Sequence, residues 1–166
     1  ANDPGFADRL AGLGDLYVND AFAASHRAHA SIVGLPRRLP SYLGLRFAEE
    51  IRNLNRVFQP ARPFIVILGG AKFETKLPVL KKLISLADQI FVYGALAHAF
   101  FRELGYELGG SLVDSDTALA RPFLHHPKII LPADVRVKNG ERVFIKTPDR
   151  LVKDDNILDV GLESVE

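Results

Sequence analysis

Cysteine, methionine and tryptophan are all missing from the 166 residues. The first absence excludes disulfides, thiolate catalysis and cysteine-ligated metal together, and it permits a reducing cytoplasm. The second extends to position 1, which sets the expectation of a piece cut from a longer chain or of a processed start. Charge of one sign is scarce too: 21 basic and 20 acidic side chains leave +1, so no global field favours nucleic acid or an anionic membrane. Any anion must be held locally. No apolar run approaches the ~20 residues of a membrane helix, and no leader-like segment opens the chain. The expectation is a soluble, cytoplasmic protein whose partners include neither nucleic acid nor membrane.

What is there alternates. Residues 4–13 carry a short helical pattern, with Phe6, Leu10 and Leu13 spaced by four and three, and residues 16–19 read as a strand. An ordered loop, DAFAASHRAHASIVGLP, follows. Residues 39–58 form the longest helical candidate, in which Leu43, Phe47, Ile51, Leu54 and Phe58 keep one apolar stripe until QPARP stops it. From Phe64 the character changes. PFIVIL is the continuous apolar run of a parallel strand covered on both faces, and KLPVLKKLISLA is an amphipathic helix with Leu77, Leu80 and Ile84 inward. QIFVY reads as a second buried strand, 96–104 as a helix and KIILPADV as a third strand. VRV and RVFI flank a turn at Asn139-Gly140 as a hairpin, and ILDVG is a candidate further strand. This order predicts an open α/β sheet with right-handed crossovers. The long helix bounded by prolines is the candidate connector between two lobes.

One short stretch runs against local rules. In GGAKFETK, residues 69–76, Lys72 and Lys76 stand where a helix should begin, although helix starts favour carboxylates. The two glycines let backbone turn sharply and approach a ligand, Thr75 is a candidate N-cap, and the stretch follows a strand, where open α/β sheets bind ligands. A phosphate site and a pair of solvated lysines beside a plain turn fit the residue chemistry equally well, because the pattern is neither GxxxxGK[ST] nor GxGxxG. Other candidates have similarly open readings. Asp20, Asp134 and Asp159 at strand ends suit function or turn stabilisation, with the latter commoner. His98 on an apolar helix reads as packed rather than catalytic. His26, Arg27 and His29 are discounted as a metal site for want of neighbouring carboxylates, and as a nucleic-acid site for want of interleaved aromatics.

Taken in order, YVNDAFAASHRAHASIVGLP, PFIVILGGAKFETKLPVLKKL, ADQIFVYGALAHAFFRELGYELGGSLVDSD, ILPADVRV and ILDVG closely resemble phosphoglycerate kinase. The resemblance covers nearly the whole chain with its blocks in family order. It implies an open parallel Rossmann-like sheet, the phosphoglycerate kinase fold, here incomplete and with part of a second α/β lobe. Residues 1–38 would be the end of the substrate lobe, 39–60 the interdomain helix and 61–166 the first part of the nucleotide lobe. The implied activity is reversible phosphoryl transfer between 1,3-bisphosphoglycerate and ADP, giving 3-phosphoglycerate and ATP, by a monomer that closes about a hinge. Mg2+ would accompany the nucleotide, with no metal ligand identified in this chain. By the same resemblance Gly69, Gly70, Ala71 and Gly94 approach the nucleotide through backbone, Lys76 contacts its phosphates, and Lys72 holds the transferring group. Arg27 and His26 belong to the substrate patch, Arg27 with a catalytic part as well.

The chain departs from the family pattern in places. Tyr93-Gly94-Ala95 replaces a glycine run, so a side chain stands where backbone normally approaches adenine, at a cost to nucleotide affinity. Leu162 replaces a common proline, Thr75 a common aspartate, and the stretch 114–127 is short. As a central section with two half-sites, the isolated chain is expected to be inactive. The alternative is a truncated or degenerate relative that only binds a nucleotide or a protein. A dinucleotide-binding dehydrogenase module is the weakest reading, since GGAK lacks the third glycine.

Overall fold

A computed structural model describes residues 2–165. The chain divides into two compact units, Ala1–Pro60 and Ala61–Glu166. In the first unit, helix α1 (Pro4–Ala11) begins as its sequence dictates: Asp3 accepts the Phe6 amide at 2.6 Å, and Pro4 fills a position whose missing N–H costs nothing. The segment expected as an ordered loop is built largely from short helical turns, tight ones at Phe22–Ala24 and Leu35–Arg37 and a wide π turn at Ala30–Gly34. Gly34 must be glycine, because a Cβ there would lie 2.7 Å from the Cβ of buried Ala7. Arg38 then ties the turns to α1 by donating to Asp8 and to the carbonyls of Gly34 and Pro4.

The expected helix over 39–58 is corrected. Residues Ser41–Leu43 form strand β2, parallel to β1 (Tyr17–Asn19), and helix α2 spans only Leu45–Asn55 before a tight turn at Arg56–Phe58. Two causes act. Leu39 precedes a proline, which disfavours helix there, and Asp20, just beyond β1, caps α2 from a distance by accepting the Phe47 amide at 2.9 Å. Gly44 leaves room for that carboxylate, since a Cβ would come within 2.2 Å of its oxygen. Asp20 is thus structural here, and Phe22 meets Phe47 edge-on at 5.3 Å beneath it.

The second unit has the alternation that the sequence predicts: β3 (Ile65–Gly69), α3 (Phe73–Leu86), β4 (Gln89–Tyr93), α4 (Ala95–Glu103) and β5 (Ile129–Ile130). The three strands run parallel in the order β3-β4-β5. Leu68, Leu80, Ile90, Val92 and Phe100 are among the side chains buried in one core. Strand β3 is not covered on both faces as expected: Leu68 is buried, but Ile67 is 71% exposed and Ile65 half exposed. Strand β5 is also shorter than KIILPADV implied. The chain leaves the sheet at Leu131-Pro132 and enters a separate antiparallel sheet of β6 (Val135–Asn139), β7 (Arg142–Lys146) and β8 (Asn156–Val160), ordered β7-β6-β8.

Two buried carboxylates fasten that second sheet. Asp155 is fully buried and accepts from Lys146 Nζ at 2.7 Å, the Val152 amide at 2.9 Å and Asn139 Nδ2 at 3.1 Å, which joins β6, β7 and the turn before β8. Asp134 accepts from the Ser164 hydroxyl and amide and from the Glu163 amide, which makes it a structural group also. Burial pushes both carboxyls up, but these donors outweigh it and hold each below the usual carboxylate range. Such groups stabilise the fold above the unfolded-chain value near about 3.9 and cease to do so as pH falls through their folded values. The unfolding midpoint should therefore be flat from about pH 7 to 5 and drop below about pH 4. Asp155→Ala should cost about 3 kcal/mol at neutral pH, because it strands an ammonium and two further donors, and should make the acid drop shallower. Urea unfolding followed by circular dichroism at several pH values checks both; a loss under about 1 kcal/mol at neutral pH would contradict the assignment.

Candidate functional site

The register of β3 with β4 pairs Gly69 with Tyr93, so the turns that follow, Gly70-Ala71 and Gly94, leave the sheet side by side. Gly70 has φ 154° and lies under the Lys76 side chain, whose Cε would be 3.0 Å from any Cβ added there. The missing side chain is what lets the stem of half-buried Lys76 fold back along the loop. Lys72 is exposed and takes the N-cap position of α3 in an extended conformation, so the expectation that Thr75 caps the helix is corrected: its hydroxyl donates to the Lys72 carbonyl at 2.9 Å. Neither lysine has an ion-pair partner among the described residues.

The start of α3 already has its anion. Asp114, distant in sequence, accepts the Phe73 amide through Oδ2. That hydrogen bond, with help from the Ser115 and Asp116 amides and against partial burial, holds its carboxyl below the usual range. A ligand phosphate drawn to the first amide of α3 would have to displace it. The positive groups left free at this turn are therefore the two lysine side chains rather than that amide. Behind it Phe73 is anchored in the core against Phe100 at 5.5 Å and Phe123 at 6.4 Å.

Beside Gly94 opens a cavity of about 200 Å³ lined by Gly94, Ala95, His98, Leu112 and Leu158 together with neighbouring residues of β6 and β8. Gly94 begins α4 with φ 61° and ψ −153°, a conformation reserved for glycine. Leu112 and Leu158 are both more than half exposed at its rim, an apolar pair of the kind that holds a flat ring. Neither was legible as a site residue, because each lies in a loop or strand with no motif. Tyr93 does not intrude as its position predicted. Its ring lies beside Phe91 at 6.1 Å, its hydroxyl donates to the Ser164 carbonyl at 2.7 Å, and it is absent from the cavity wall. His98 is packed as expected, 5% exposed, with Nδ1 2.7 Å from the Leu112 carbonyl oxygen.

On the first unit, His26 and Arg27 are exposed after the turn at Phe22–Ala24, with the Arg27 amide bound to the Ala24 carbonyl at 3.0 Å. The Arg27 guanidinium has no ion-pair partner among the described residues. A larger hollow of about 480 Å³ near Lys146, Thr147 and Arg150 is a weaker candidate, since Lys146 and Asp134 on its wall are already engaged as described. Asp159 is exposed, 3.9 Å from Arg136, and caps its own strand end by accepting the Val160 amide. Among the described residues no group of three or more His, Asp or Glu side chains is placed to hold a metal ion, and none of the helices is long and apolar enough to cross a membrane.

Parallel strands joined through helices, glycine turns at their carboxyl ends and a crevice beside the second of those turns define an open α/β protein, with the crevice where such sheets bind ligands. The family model described as Phosphoglycerate kinase matches residues 1–166. The chain belongs to the phosphoglycerate kinase family. It is 41% identical to the phosphoglycerate kinase of Dictyoglomus turgidum over 177 residues, which take in all of this chain and 45% of the relative. It is 42% identical to that of Methylorubrum populi over 176 residues, or 99% of this chain and 44% of the relative. Among solved structures, phosphoglycerate kinase from Coxiella burnetii matches with a TM-score of 0.81 at 31% identity, over 98% of this chain and 45% of that one. The enzyme from Pyrococcus horikoshii matches at 0.77 and 25% identity, over 99% and 46%. The chain thus spans less than half the length of the curated relatives it matches.

The role of Asp114 can be measured directly. Asp114→Ala should free the Phe73 amide and raise its hydrogen-exchange rate about fivefold, whereas Asp114→Asn, which keeps an acceptor, should raise it less. Equal exchange in all three proteins would show that the carboxylate does not hold the start of α3.

Proposed function

We propose that this chain works as part of a glycolytic phosphoglycerate kinase in the cytoplasm, exchanging a phosphoryl group between 1,3-bisphosphoglycerate and ADP. The observation that carries the reading is the pairing of Gly69 with Tyr93, which starts two turns from one level of the sheet, one leading to Lys72 and Lys76 and the other bordering a cavity sized for a heterocyclic base. In this reading the base enters the cavity near Gly94 and Ala95, and the sugar and phosphates run along the Gly69-Gly70-Ala71 backbone. Lys76, braced across Gly70, neutralises nucleotide phosphate, while exposed Lys72 reaches the group in transfer. Arg27, with His26, takes the three-carbon acid, where a guanidinium fork suits phosphate or carboxylate.

The chemistry asks for alignment and charge neutralisation. An ADP β-phosphate oxygen attacks the phosphorus of the acyl phosphate, the bond to the carboxyl oxygen breaks, and 3-phosphoglycerate leaves as the carboxylate with that electron pair. No proton has to move. Lysines and an arginine stabilise the charge spread over the transferring oxygens. Mg2+ would come with the nucleotide, since no carboxylate cluster among the described residues fits it. Lobe closure about a hinge would bring the two half-sites together, in a monomer.

Three substitutions in the intact enzyme test these roles. Lys76→Ala should weaken ATP binding about ten- to hundredfold, the loss of one charge-assisted contact. Lys72→Ala should lower kcat with ATP affinity nearly intact, because its contact matures only in the transition state. Small, equal effects from both would return the lysines to solvent. Arg27→Ala should raise the KM for 3-phosphoglycerate by a similar factor and leave ATP binding alone; the reverse pattern would mean that the substrates are assigned to the wrong units.

A further inference from the structure

His98 brings the cavity a polar atom whose chemistry is fixed by its surroundings. The ring stacks on Phe101 at 6.4 Å, and its Nδ1 lies 2.7 Å from the Leu112 carbonyl oxygen. A carbonyl only accepts, so Nδ1 carries the hydrogen, and in the neutral imidazole Nε2 is left with a lone pair and no hydrogen. Burial pushes the pKa of this imidazole down, with the Leu112 carbonyl opposing, so the neutral form prevails near pH 7. Among the described residues no fully buried polar side-chain atom lacks a partner, and Nε2 has none in the protein. It is therefore open, and the open space that His98 lines is the cavity.

We infer that His98 Nε2 is a base-selecting hydrogen-bond acceptor, favouring a nucleobase that presents an exocyclic amino group over one that presents a carbonyl at the same position. The inference rests on the proposal that the cavity takes the base. Leu112 and Leu158 give apolar contact to the faces of any flat ring and cannot tell bases apart. Polar atoms at the ring edge can. Adenine offers an amino donor at its 6-position, whereas hypoxanthine offers an oxygen whose lone pairs would face that of Nε2. The other polar side chain on the wall, Asp159, is also an acceptor, so no side chain there rewards the carbonyl. A site that leaves a buried acceptor facing an acceptor rejects the wrong ring more strongly than apolar contact could.

Calorimetric titration of the intact protein with ATP and with ITP, its 6-oxo counterpart, tests this. The wild type should bind ATP about tenfold more tightly than ITP. His98→Phe should bring the ratio to about twofold or less, chiefly by weakening ATP, and His98→Gln, whose amide oxygen can accept, should recover part of the preference. A ratio unchanged in the folded Phe variant overturns the inference and leaves the proposed function standing. Failure of the wild type to bind either nucleotide overturns both. Should the Phe variant not fold, the 15N resonance of Nε2 in the wild type decides: it should shift on adding ADP as the lone pair accepts a hydrogen bond, and no shift overturns the inference.

Discussion

The placement of both glycine turns of the candidate nucleotide site depends on the parallel register of β3 and β4. Five residues pair in step, from Ile65 with Gln89 to Gly69 with Tyr93. Because side chains alternate across a strand, a slip of β4 by one residue against β3 would turn Ile90 and Val92 out of the core and leave Leu68 without them. The core therefore fixes the register, and the register fixes the level at which both glycine turns leave the sheet. The first of those turns leads to Lys72 and Lys76, and the second borders the cavity at Gly94.

Charge is distributed with the same economy. Where an ion is needed for the fold, it is paired: Asp155 with Lys146, Arg38 with Asp8, Arg121 with Glu103. Asp114 answers the positive start of α3 from within the chain. Lys72, Lys76 and Arg27 have no ion-pair partner among the described residues, a state they share with many of the chain's other basic side chains, so their position beside glycine turns and strand ends, and not the missing partner, is what sets them apart.

The first unit shows the same reliance on distant groups. Asp20 starts α2 across an interval of 27 residues, and Arg38 fastens α1 to the turns at Ala30–Arg37 through contacts up to 34 residues apart. Two glycines make these contacts possible by giving up side chains, Gly34 against Ala7 and Gly44 against the Asp20 carboxylate. The short strand β2 then falls between Pro40, whose carbonyl accepts the Tyr17 amide, and Gly44, whose amide donates to the Asn19 carbonyl. Neighbouring residues would have allowed a helix over much of that stretch, and tertiary hydrogen bonds took it as strand instead.

The sequence by itself determined the elements whose signals are local and strong. The apolar runs of β3 and β4, the stripe of α3, the hairpin β6-β7 and the glycines at strand ends were legible because period, propensity and turn chemistry act within a few residues. The order of its blocks also carried the family. Only the tertiary structure decided where α2 begins, that β8 joins the hairpin and not the parallel sheet, and that the Tyr93 ring turns to Ser164 and leaves the Gly94 crevice open. The same holds for the gathering of His98, Leu112 and Leu158 around that crevice and for Asp114 at the start of α3. The physical reason is common to them all: each rests on a hydrogen bond or contact between segments far apart in the chain, and such a contact leaves no periodicity in the residues on either side.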